Sequence, residues 1–362
     1  MAGENNITVL VTGGSGFIGT SLIIKLLQMR KFNIINLDKL NYSSDNTGIN
    51  EYLASSSSEN SSNYQFINLD LCNKEKINSI ILKLKPDIVF HLAAETHVDR
   101  SIENPRLFLE NNVIGTFNLL EASFQYWESL NFSKKQSFKY IHISTDEVFG
   151  TLGSEGSFNE LSNYSPNSPY SASKASSDHF VRAFHHTYNF PINIVNCSNN
   201  FGQWQFPEKF IPLIINKAIS GQKIPIYGDG LNVRDWLYVE DHVDALILIM
   251  KKGLIGSSYC IGGIGECTNL RLVEMICQIL DEIEPKDFPH NKLISFVKDR
   301  PGHDFRYSID PYKIRNELGW LPKYDFQSAL RKTIKWYLKN KAWTKYILSS
   351  SGYDGSRLGL SK

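Results

Sequence analysis

Apolar runs of strand length alternate with longer segments of helical period through roughly the first 200 residues. The runs that predict buried strands, rich in Ile and Val, are Ile7–Val11, Ile34–Asp38, Gln65–Leu69, Ile88–Leu92, Tyr140–Ser144 and Ile192–Cys197. The segments between them that predict helices are Gly19–Arg30, Lys74–Leu84, Pro105–Tyr126 and Ser171–Tyr188. Because strands and helices alternate in this way, we predict an α/β fold built on a parallel, doubly wound sheet.

The pattern changes beyond about residue 200, where the apolar runs shorten and Pro and Gly cluster. Two further helices are predicted at Asn269–Ile283 and Gln327–Lys339, and together with the short runs they indicate a smaller C-terminal α/β lobe. We therefore predict one domain over residues 1–200 and a second over residues 201–362. The boundary need not be clean, since part of residues 236–250 could return to the first domain.

Composition and charge exclude several classes of partner. With a net charge of +1 and dispersed Lys and Arg, the chain shows no pattern for binding nucleic acid or a membrane surface. Its five cysteines form no CxxC pair and no metal-ligand spacing, which suits a reducing compartment and predicts no metal site. Residues 1–6 lead straight into an apolar strand, with no signal peptide and no long apolar span, so we expect a cytoplasmic protein. The Ser-rich stretch Ala54–Ser62 is predicted to be a solvated loop.

A glycine-rich turn follows the first predicted strand and opens the first helix. Its sequence is TGGSGFIG, with Gly13, Gly16 and Gly19 spaced to permit a tight turn and close approach to a pyrophosphate at the helix N-terminus. Asp38 ends the second strand 19 residues after Gly19, near the spacing of a carboxylate that binds the adenine ribose. A carboxylate there repels a 2′-phosphate, so a Rossmann-type site for NAD rather than NADP is predicted. The alternative is a glycine turn with an incidental acid.

Two further strand ends face the same predicted ligand. Asp70 and Leu71 follow the third strand, where they could meet the adenine, although an Asp at a strand end is often only a helix cap. The fourth strand ends in the small residues of Leu92-Ala93-Ala94-Glu95-Thr96, which leave room for a ligand at the switch point of the sheet. Close helix packing would explain the same small residues.

A Tyr/Lys pair supplies candidate chemistry at a hydroxyl-bearing carbon. Tyr170 and Lys174 are four residues apart and therefore share one face of a predicted helix. We expect the Lys174 ammonium to lower the pKa of the phenol, which makes tyrosinate a usable base. Thr145 ends the preceding strand, where its hydroxyl could hydrogen-bond the substrate hydroxyl that is oxidised.

Asp146 and Glu147 come directly after Thr145, between the predicted sheet and the Tyr170 helix. Oxidation or epimerisation of a sugar needs no additional carboxylates, whereas removal of water needs an acid and a base. The tandem therefore favours dehydration. Acidic residues after a strand are more often caps or surface turn residues, and that reading stays open at this point.

Taken together, the motifs resemble those of the extended short-chain dehydrogenase/reductase family, and within it the nucleotide-sugar 4,6-dehydratases. The resemblance covers about residues 7–340 and rests on TGGSGFIG, LDKLNYSSDN, HLAAETHVDRS, HISTDEVFG, SPYSASKASSDH, NCSNNFG, FPEKFIP, PIYGDG, RDWLYVEDH and DRPGHDFRY. Related epimerases and decarboxylases share the glycine loop and the Tyr/Lys pair but typically lack the Asp-Glu tandem. Phe149 stands where the family usually has Tyr, Thr96 stands where it often has Ser, and the tail after about Trp343 matches poorly.

The resemblance implies a reaction on a nucleoside-diphosphate glucose, with thymidine favoured over uridine as the nucleoside. Tyr170 would take the proton of the C4 hydroxyl while a hydride passes to NAD. Glu147 would then remove the C5 proton and Asp146 would protonate the departing C6 hydroxyl. Return of the hydride to C6 would give the 4-keto-6-deoxy sugar and regenerate NAD.

The resemblance also implies the binding residues. Those expected to hold NAD are Gly13, Gly16, Phe17, Ile18, Gly19, Asp38, Lys39, Asp70, Leu71, Leu92, Ala93, Ala94, Thr96, Asn111, Tyr170, Lys174 and Asn200. Those expected to hold the substrate are Thr96, Thr145, Asn199, Glu208, Lys209, Phe210, Pro225, Tyr227, Arg234, Asn269, Arg300 and His303. For the second set the competing explanation is stronger, since an Arg in a loop is usually a surface ion pair.

Three alternatives to a thymidine-sugar dehydratase remain open from the sequence. They are a uridine-sugar 4,6-dehydratase, a 4-epimerase or decarboxylase of the same fold, and a non-catalytic protein that senses NAD. A homodimer is expected as well, because the helices over Pro105–Tyr126 and Ser171–Tyr188 carry apolar residues beyond one stripe and related enzymes pair these helices in a four-helix contact.

Overall fold

A computed structural model describes residues 7–56, 62–263, 265–299 and 301–353 of the chain. Residues 57–61 of the predicted loop therefore lie outside the described part. Within these ranges, no helix combines the length and the apolar character needed to cross a bilayer. The same ranges contain no group of three or more His, Cys, Asp and Glu side chains placed to hold a metal ion.

Seven parallel strands form the main sheet, in the order β11-β6-β5-β4-β1-β2-β3. Their bounds are β1 Ile7–Thr12, β2 Phe32–Asp38, β3 Tyr64–Asn68, β4 Ile88–His91, β5 Lys139–Thr145, β6 Ile192–Cys197 and β11 Ser258–Ile261. The α/β fold and the doubly wound parallel sheet predicted from the sequence are confirmed. Strand order reverses between β1 and β4, so the crevice outside their carboxyl ends is where such a sheet binds its ligand.

Short strands and helices complete the described part of the chain. The short strands are β7 Asn199–Phe201, β8 Ile224–Tyr227, β9 Val233–Arg234, β10 Trp236–Tyr238, β12 Cys267–Thr268 and β13 Ile294–Val297. The helices are α1 Phe17–Met29, α2 Thr47–Ser55, α3 Lys74–Leu84, α4 Val98–Glu103, α5 Pro105–Phe108, α6 Gly115–Glu128, α7 Phe132–Ser137, α8 Pro169–Tyr188, α9 Phe210–Ile219, α10 Val239–Lys252, α11 Asn269–Ile283, α12 Tyr312–Leu318, α13 Phe326–Lys339 and α14 Lys341–Ser351.

The sheet does not end at the predicted boundary of residue 200. Helix α10 packs against α1 on the main sheet, and β11 then adds the seventh strand beside β6. The smaller C-terminal α/β region has its own apolar core, in which α9, α11 and α13 pack around residues such as Ile215, Ile276 and Ile334. The division of the chain into two domains at residue 200 stays a prediction.

The helix predicted over Pro105–Tyr126 is interrupted. A six-residue π-helical turn, Leu109–Ile114, separates α5 from α6. A π-turn inserts one residue into the helical ladder and is often found at functional sites. Here it allows Asn111 to accept a hydrogen bond from Lys39, while Asn112 exchanges hydrogen bonds with the backbone of Glu95 at 2.7 and 3.0 Å. Hydrophobic period alone does not reveal such an insertion.

Candidate active site

The glycine turn lies between β1 and α1, at the switch point of the sheet. Gly13 has a φ of +69°, and a Cβ built on it would lie 2.6 Å from the Ala93 backbone nitrogen. Gly16 precedes α1, and no side chain caps the first turn of this helix. A Cβ on Gly16 would meet only the Gly13 carbonyl oxygen, at 3.3 Å. The turn therefore leaves backbone N–H groups at the start of α1 for an anionic ligand.

Asp38 braces this turn from the end of β2. Its carboxylate accepts hydrogen bonds from the backbone N–H of Ser15 at 3.1 Å and of Leu40 at 2.8 Å. Burial raises the pKa of Asp38, and these two hydrogen bonds oppose the rise. Its place beside the turn agrees with the predicted ribose contact, which stays a prediction.

A matched pair of substitutions separates the two functions of the turn. Gly13→Ala is expected to lower the free energy of unfolding by about 1–3 kcal/mol, because the position combines positive φ with contact to Ala93. Gly16→Ala is expected to leave stability nearly unchanged and to weaken NAD binding. Its methyl group would occupy space in the cavity and would make little contact with the backbone. Chemical denaturation and NAD titration measure the two effects. Equal loss of stability in both variants would contradict this account of the turn.

A cavity of about 290 Å³ begins at this turn and runs along the carboxyl ends of the strands. All of the residues predicted to hold NAD line it: Gly13, Gly16, Phe17, Ile18, Gly19, Asp38, Lys39, Asp70, Leu71, Leu92, Ala93, Ala94, Thr96, Asn111, Tyr170, Lys174 and Asn200. Lys39 spans one end of the cavity, with its ammonium 3.5 Å from the Glu95 carboxylate and 3.8 Å from that of Asp70. Asp70 also accepts from the Cys72 N–H at 2.8 Å, but it does not cap the helix that follows, because the side chain that caps α3 is that of Asn73.

The Tyr/Lys pair lies on the N-terminal turns of α8. Ser168 and Ser171 form a capping box that starts this helix, and Pro169 occupies its first position. Tyr170 and Lys174 are both buried and line the cavity. The spacing of four residues therefore places both side chains on the wall of the same cavity, as the sequence predicted.

The expected effect of Lys174 on Tyr170 is not found. Burial raises the pKa of the Tyr170 phenol well above its ordinary value, the charge of Glu147 raises it further, and a hydrogen bond with Thr145 opposes the rise. The Lys174 ammonium instead donates to the Ile143 carbonyl oxygen at 2.9 Å. In the protein alone, therefore, Lys174 does not bring the Tyr170 pKa towards neutrality. A cationic group bound in the cavity would favour the phenolate.

Asp146 and Glu147 open a short 3₁₀ turn directly after β5. The side chain that caps this turn is Thr145, which accepts from the Glu147 N–H at 3.3 Å, so the two carboxylates are not caps. Asp146 is buried, and its Oδ2 atom has no hydrogen-bond partner among the described residues. Burial raises the pKa of Asp146 well above its ordinary value, and the charges of Glu147 and Asp235 add to the rise. This rise favours the protonated form of Asp146, which is the form that a proton donor requires.

A second cavity of about 230 Å³ adjoins the first. The predicted substrate residues that line it are Thr96, Asn199, Glu208, Lys209, Phe210, Pro225, Tyr227, Arg234, Asn269 and His303. Thr145 lines the first cavity, and Arg300 lies outside the described residues. The two cavities share Thr96, Glu147, Asn199 and Lys209, so Glu147 stands where they meet.

Arg234 is not a surface ion pair. It is buried, donates to the carbonyl oxygens of Val233 at 2.8 Å and Asp304 at 3.0 Å, and stacks its guanidinium 4.4 Å from the centre of the Tyr307 ring. Asn199, at the same wall, has a buried Oδ1 atom without a hydrogen-bond partner in the described part of the chain. A buried polar atom without a partner is expected to bind a ligand or water.

Glu208 lines the second cavity and is hydrogen-bonded to other side chains of the protein. Its carboxylate accepts from the Tyr42 hydroxyl at 2.7 Å and from Arg100 Nε at 3.0 Å, and Arg100 stacks on the Tyr42 ring. Lys209 donates to the Thr96 carbonyl oxygen at 2.7 Å. The contacts of Glu208 are thus to the protein itself, and its predicted contact with the nucleoside stays a prediction.

Sequence reasoning missed several side chains at the cavity walls. Ser43 and Ser44 line the first cavity, in a segment that the LDKLNYSSDN motif already covers. Tyr307 and Tyr353 line the second cavity. Tyr353 follows the point at which the family resemblance ends, so no signal in the sequence pointed to it.

The residues present fit the predicted cofactor. The cavity combines an uncapped helix start, glycines that leave space at Gly16, and a carboxylate at the end of β2, which are the features that a dinucleotide pyrophosphate and ribose require. The carboxylate of Asp38 at this wall would repel a 2′-phosphate. These features favour NAD, in agreement with the prediction.

The chain is similar to known nucleotide-sugar enzymes over nearly its whole length. A protein of Haemophilus influenzae, described as dTDP-glucose 4,6-dehydratase, is 50% identical over 339 residues, which cover 92% of this chain and 98% of that protein. The crystal structure of dTDP-glucose 4,6-dehydratase from Bacillus anthracis in complex with NAD has a TM-score of 0.81 and 40% identity, and the match covers 94% of this chain and 99% of that one.

A second solved structure and a family description agree with this similarity. DesIV of Streptomyces venezuelae, a dTDP-glucose 4,6-dehydratase with NAD and TYD bound, has a TM-score of 0.84 and 36% identity over 94% of this chain and 100% of its own. Residues 10–333 match the sequence family described as GDP-mannose 4,6 dehydratase. The chain belongs to this family of NAD-dependent nucleotide-sugar epimerases and dehydratases.

Proposed function

We propose that this chain is an NAD-dependent dTDP-glucose 4,6-dehydratase, a hydro-lyase that forms the 4-keto-6-deoxy sugar nucleotide. Relatives of this description are 45–50% identical over nearly the full chain. The observation that carries the proposal is the state of the Asp-Glu tandem. Asp146 is buried on the wall of the first cavity, with a raised pKa and an Oδ2 atom that has no partner among the described residues, while Glu147 lies where the two cavities meet.

NAD supplies the acceptor for the hydride that leaves C4 and the donor of the hydride that C6 receives. Tyr170 takes the proton of the C4 hydroxyl as the phenolate, a form that a cationic group bound in the cavity would favour and that the hydrogen bond with Thr145 also stabilises. The resulting ketone acidifies the C5 proton, which Glu147 removes, and a proton is returned to C5 when C6 receives the hydride. Asp146, whose pKa is raised by burial, gives its proton to the C6 hydroxyl as water leaves.

The second cavity is proposed to hold the nucleoside diphosphate. Arg234, which is buried, and Lys209, which is partly buried, bring positive charge to its wall. The amide oxygen of Asn199, without a partner in the described part of the chain, can accept a hydrogen bond from a ligand hydroxyl. Pro225 and Tyr227 offer a flat surface for the base. Arginine binds phosphate oxygens in a planar, bidentate way, which suits a diphosphate.

Product analysis tests this function. The purified protein is incubated without added NAD with dTDP-glucose or UDP-glucose, and the products are identified by nuclear magnetic resonance. We expect a 4-keto-6-deoxy product, formed faster from the thymidine substrate. A galactose product would show that the protein is an epimerase, and the absence of turnover with retained NAD would support the non-catalytic alternative.

We also propose that the enzyme is a cytoplasmic homodimer. The π-turn and α8 both expose large apolar side chains. On the π-turn, Leu109 is 54% exposed and Ile114 47%, and on α8, Phe180 is 42% exposed and Tyr188 48%. Exposed apolar side chains of this size on neighbouring helices suit a two-fold contact.

Light scattering at micromolar protein concentration checks the dimer. The expected mass is twice the 41.2 kDa of the chain. Phe180→Glu is expected to shift the protein towards the monomer, whereas Phe132→Glu, at a position that is 79% exposed on α7, leaves the mass unchanged. A monomeric parent protein would contradict the proposal.

A further inference from the structure

Helix α8 carries a third buried ionisable residue one turn beyond Lys174. Asp178 is completely buried, and buried carboxylates are costly unless they are hydrogen-bonded. Its Oδ1 atom lies 2.9 Å from His142 Nε2, and its Oδ2 atom accepts from the hydroxyls of Ser144 and Tyr164, each at 2.7 Å. The carboxylate thus joins α8 to β5 and to the segment between them.

Two of these partners flank the group that holds Lys174. His142 and Ser144 lie on either side of Ile143, and side chains two apart on a strand point to the same face. The Ile143 carbonyl oxygen accepts the hydrogen bond from the Lys174 ammonium at 2.9 Å. By binding both neighbours of Ile143, Asp178 fixes the register of α8 on β5 that brings Lys174 to this carbonyl.

Asp178 also supplies charge. Among the described residues, no carboxylate forms an ion pair with Lys174 within 4.0 Å, and its hydrogen bond is to a neutral carbonyl. Burial lowers the pKa of Lys174, and the negative charge of Asp178 is the first influence that opposes the fall. Burial alone would raise the pKa of Asp178, but the His142 hydrogen bond and the Lys174 charge bring it below its ordinary value, so the carboxylate is ionised.

We propose that Asp178 is a positioning residue for the reaction, which acts by fixing the place of the Lys174 ammonium and by keeping it charged. The inference rests on the proposed dehydratase function. Asp178 lines neither cavity, so it acts through Lys174 rather than on the substrate.

The other titratable groups around Asp178 and Lys174 do not change charge in the pH range in which Lys174 loses its proton. Burial lowers the pKa values of His142 and of His91 on β4, so both are neutral. Burial raises the pKa of Cys197 on β6 to about 12 and that of Tyr164 above its ordinary value. Arg182 on α8 donates to the Tyr164 hydroxyl. The groups left to titrate are Tyr170 and Lys174.

The pH dependence of C4 oxidation tests the proposal. Asp178→Asn keeps the shape of the side chain and removes its charge, so the Lys174 pKa should fall further and Lys174 should lose its proton at lower pH. We expect the alkaline limb of the single-turnover oxidation rate, followed by near-ultraviolet absorbance, to move down by about one pH unit or more. Asp146 and Glu147 transfer protons only after this oxidation, and both are present in the parent and in the variant, so a shift between the two proteins reports on Asp178.

Tyr164→Phe is the matched control, because it removes one hydrogen bond to the Asp178 carboxylate and leaves its charge. The control should keep the alkaline limb of the parent, although its melting temperature falls. An Asp178→Asn variant that is slower by the same factor at every pH, or a control that shifts the limb equally, would overturn the proposal. Asp178→Ser, with the same expected shift, carries the test if the Asn variant does not fold. Failure of the proposed function itself would appear separately, as a parent protein that makes no 4-keto-6-deoxy product.

Discussion

Replacement of Asp146 by Asn and Glu147 by Gln in one protein is expected to halt the reaction after oxidation at C4. Both substitutions keep the shape and hydrogen bonding of the side chains but remove the proton donor and the proton acceptor. Tyr170 and Lys174 remain in place on α8, so oxidation should still occur. Each lost proton transfer should slow the elimination of water by about 10²–10⁴-fold. Reduced cofactor should then accumulate on the enzyme and be visible by its near-ultraviolet absorbance.

The single variants add detail to this result. Asp146→Asn replaces a carboxyl group whose pKa is raised by burial with a neutral side chain of the same shape, so NAD binding and the fold should change little. Glu160→Gln is a matched control, since Glu160 is a half-buried carboxylate that lines neither cavity. If the double variant forms the 4-keto-6-deoxy product at the parent rate, the tandem has no part in catalysis and the dehydratase account fails.

Tyr170→Phe is expected to abolish oxidation at C4 while NAD stays bound. The ring still packs edge-on against Phe108, but the proton acceptor is lost, together with its hydrogen bond to Thr145. General-base catalysis contributes about 10²–10⁴-fold, so both reduced cofactor and product should fall by at least this factor. Stopped-flow absorbance and NAD titration measure the two properties.

Tyr164→Phe is the control for this substitution as well. Tyr164 is a partly buried tyrosine whose hydroxyl is also hydrogen-bonded, but it lines neither cavity. Its variant should retain oxidation. Unchanged turnover in Tyr170→Phe would remove Tyr170 from the role of base, whatever its place in the cavity.

Much of the nucleotide half could be predicted because its signals are local. The six predicted strands agree with observed ones to within two residues at each end, since parallel strands buried on both faces appear as continuous apolar runs. The glycine turn and Asp38 meet at one cavity because both follow strands whose carboxyl ends share an edge of the sheet. The same argument brings Tyr170 and Lys174 to that edge, on a helix whose start Pro169 marks.

Features that depend on tertiary packing could not be predicted in this way. The π-turn at Leu109–Ile114 has no signature in hydrophobic period, and strand β11 joins the sheet after the chain has left it for some 60 residues (from β6, Ile192–Cys197, to Ser258). The pKa of Tyr170 was expected to fall because Lys174 is four residues away, yet burial raises it. The Lys174 ammonium donates its hydrogen bond to the Ile143 carbonyl oxygen instead. Spacing along a helix places two side chains on one face without specifying what each one bonds.

The most direct test of the account uses dTDP-glucose that carries deuterium at C4. If one bound cofactor takes the hydride from C4 and returns it to C6, the 4-keto-6-deoxy product should carry the label in its C6 methyl group, without added NAD. Nuclear magnetic resonance and mass spectrometry locate the label. Recovery of deuterium at C6 is the predicted result. A galactose product that retains the label at C4, or a 4-keto product that has lost it to solvent, would contradict the dehydratase mechanism.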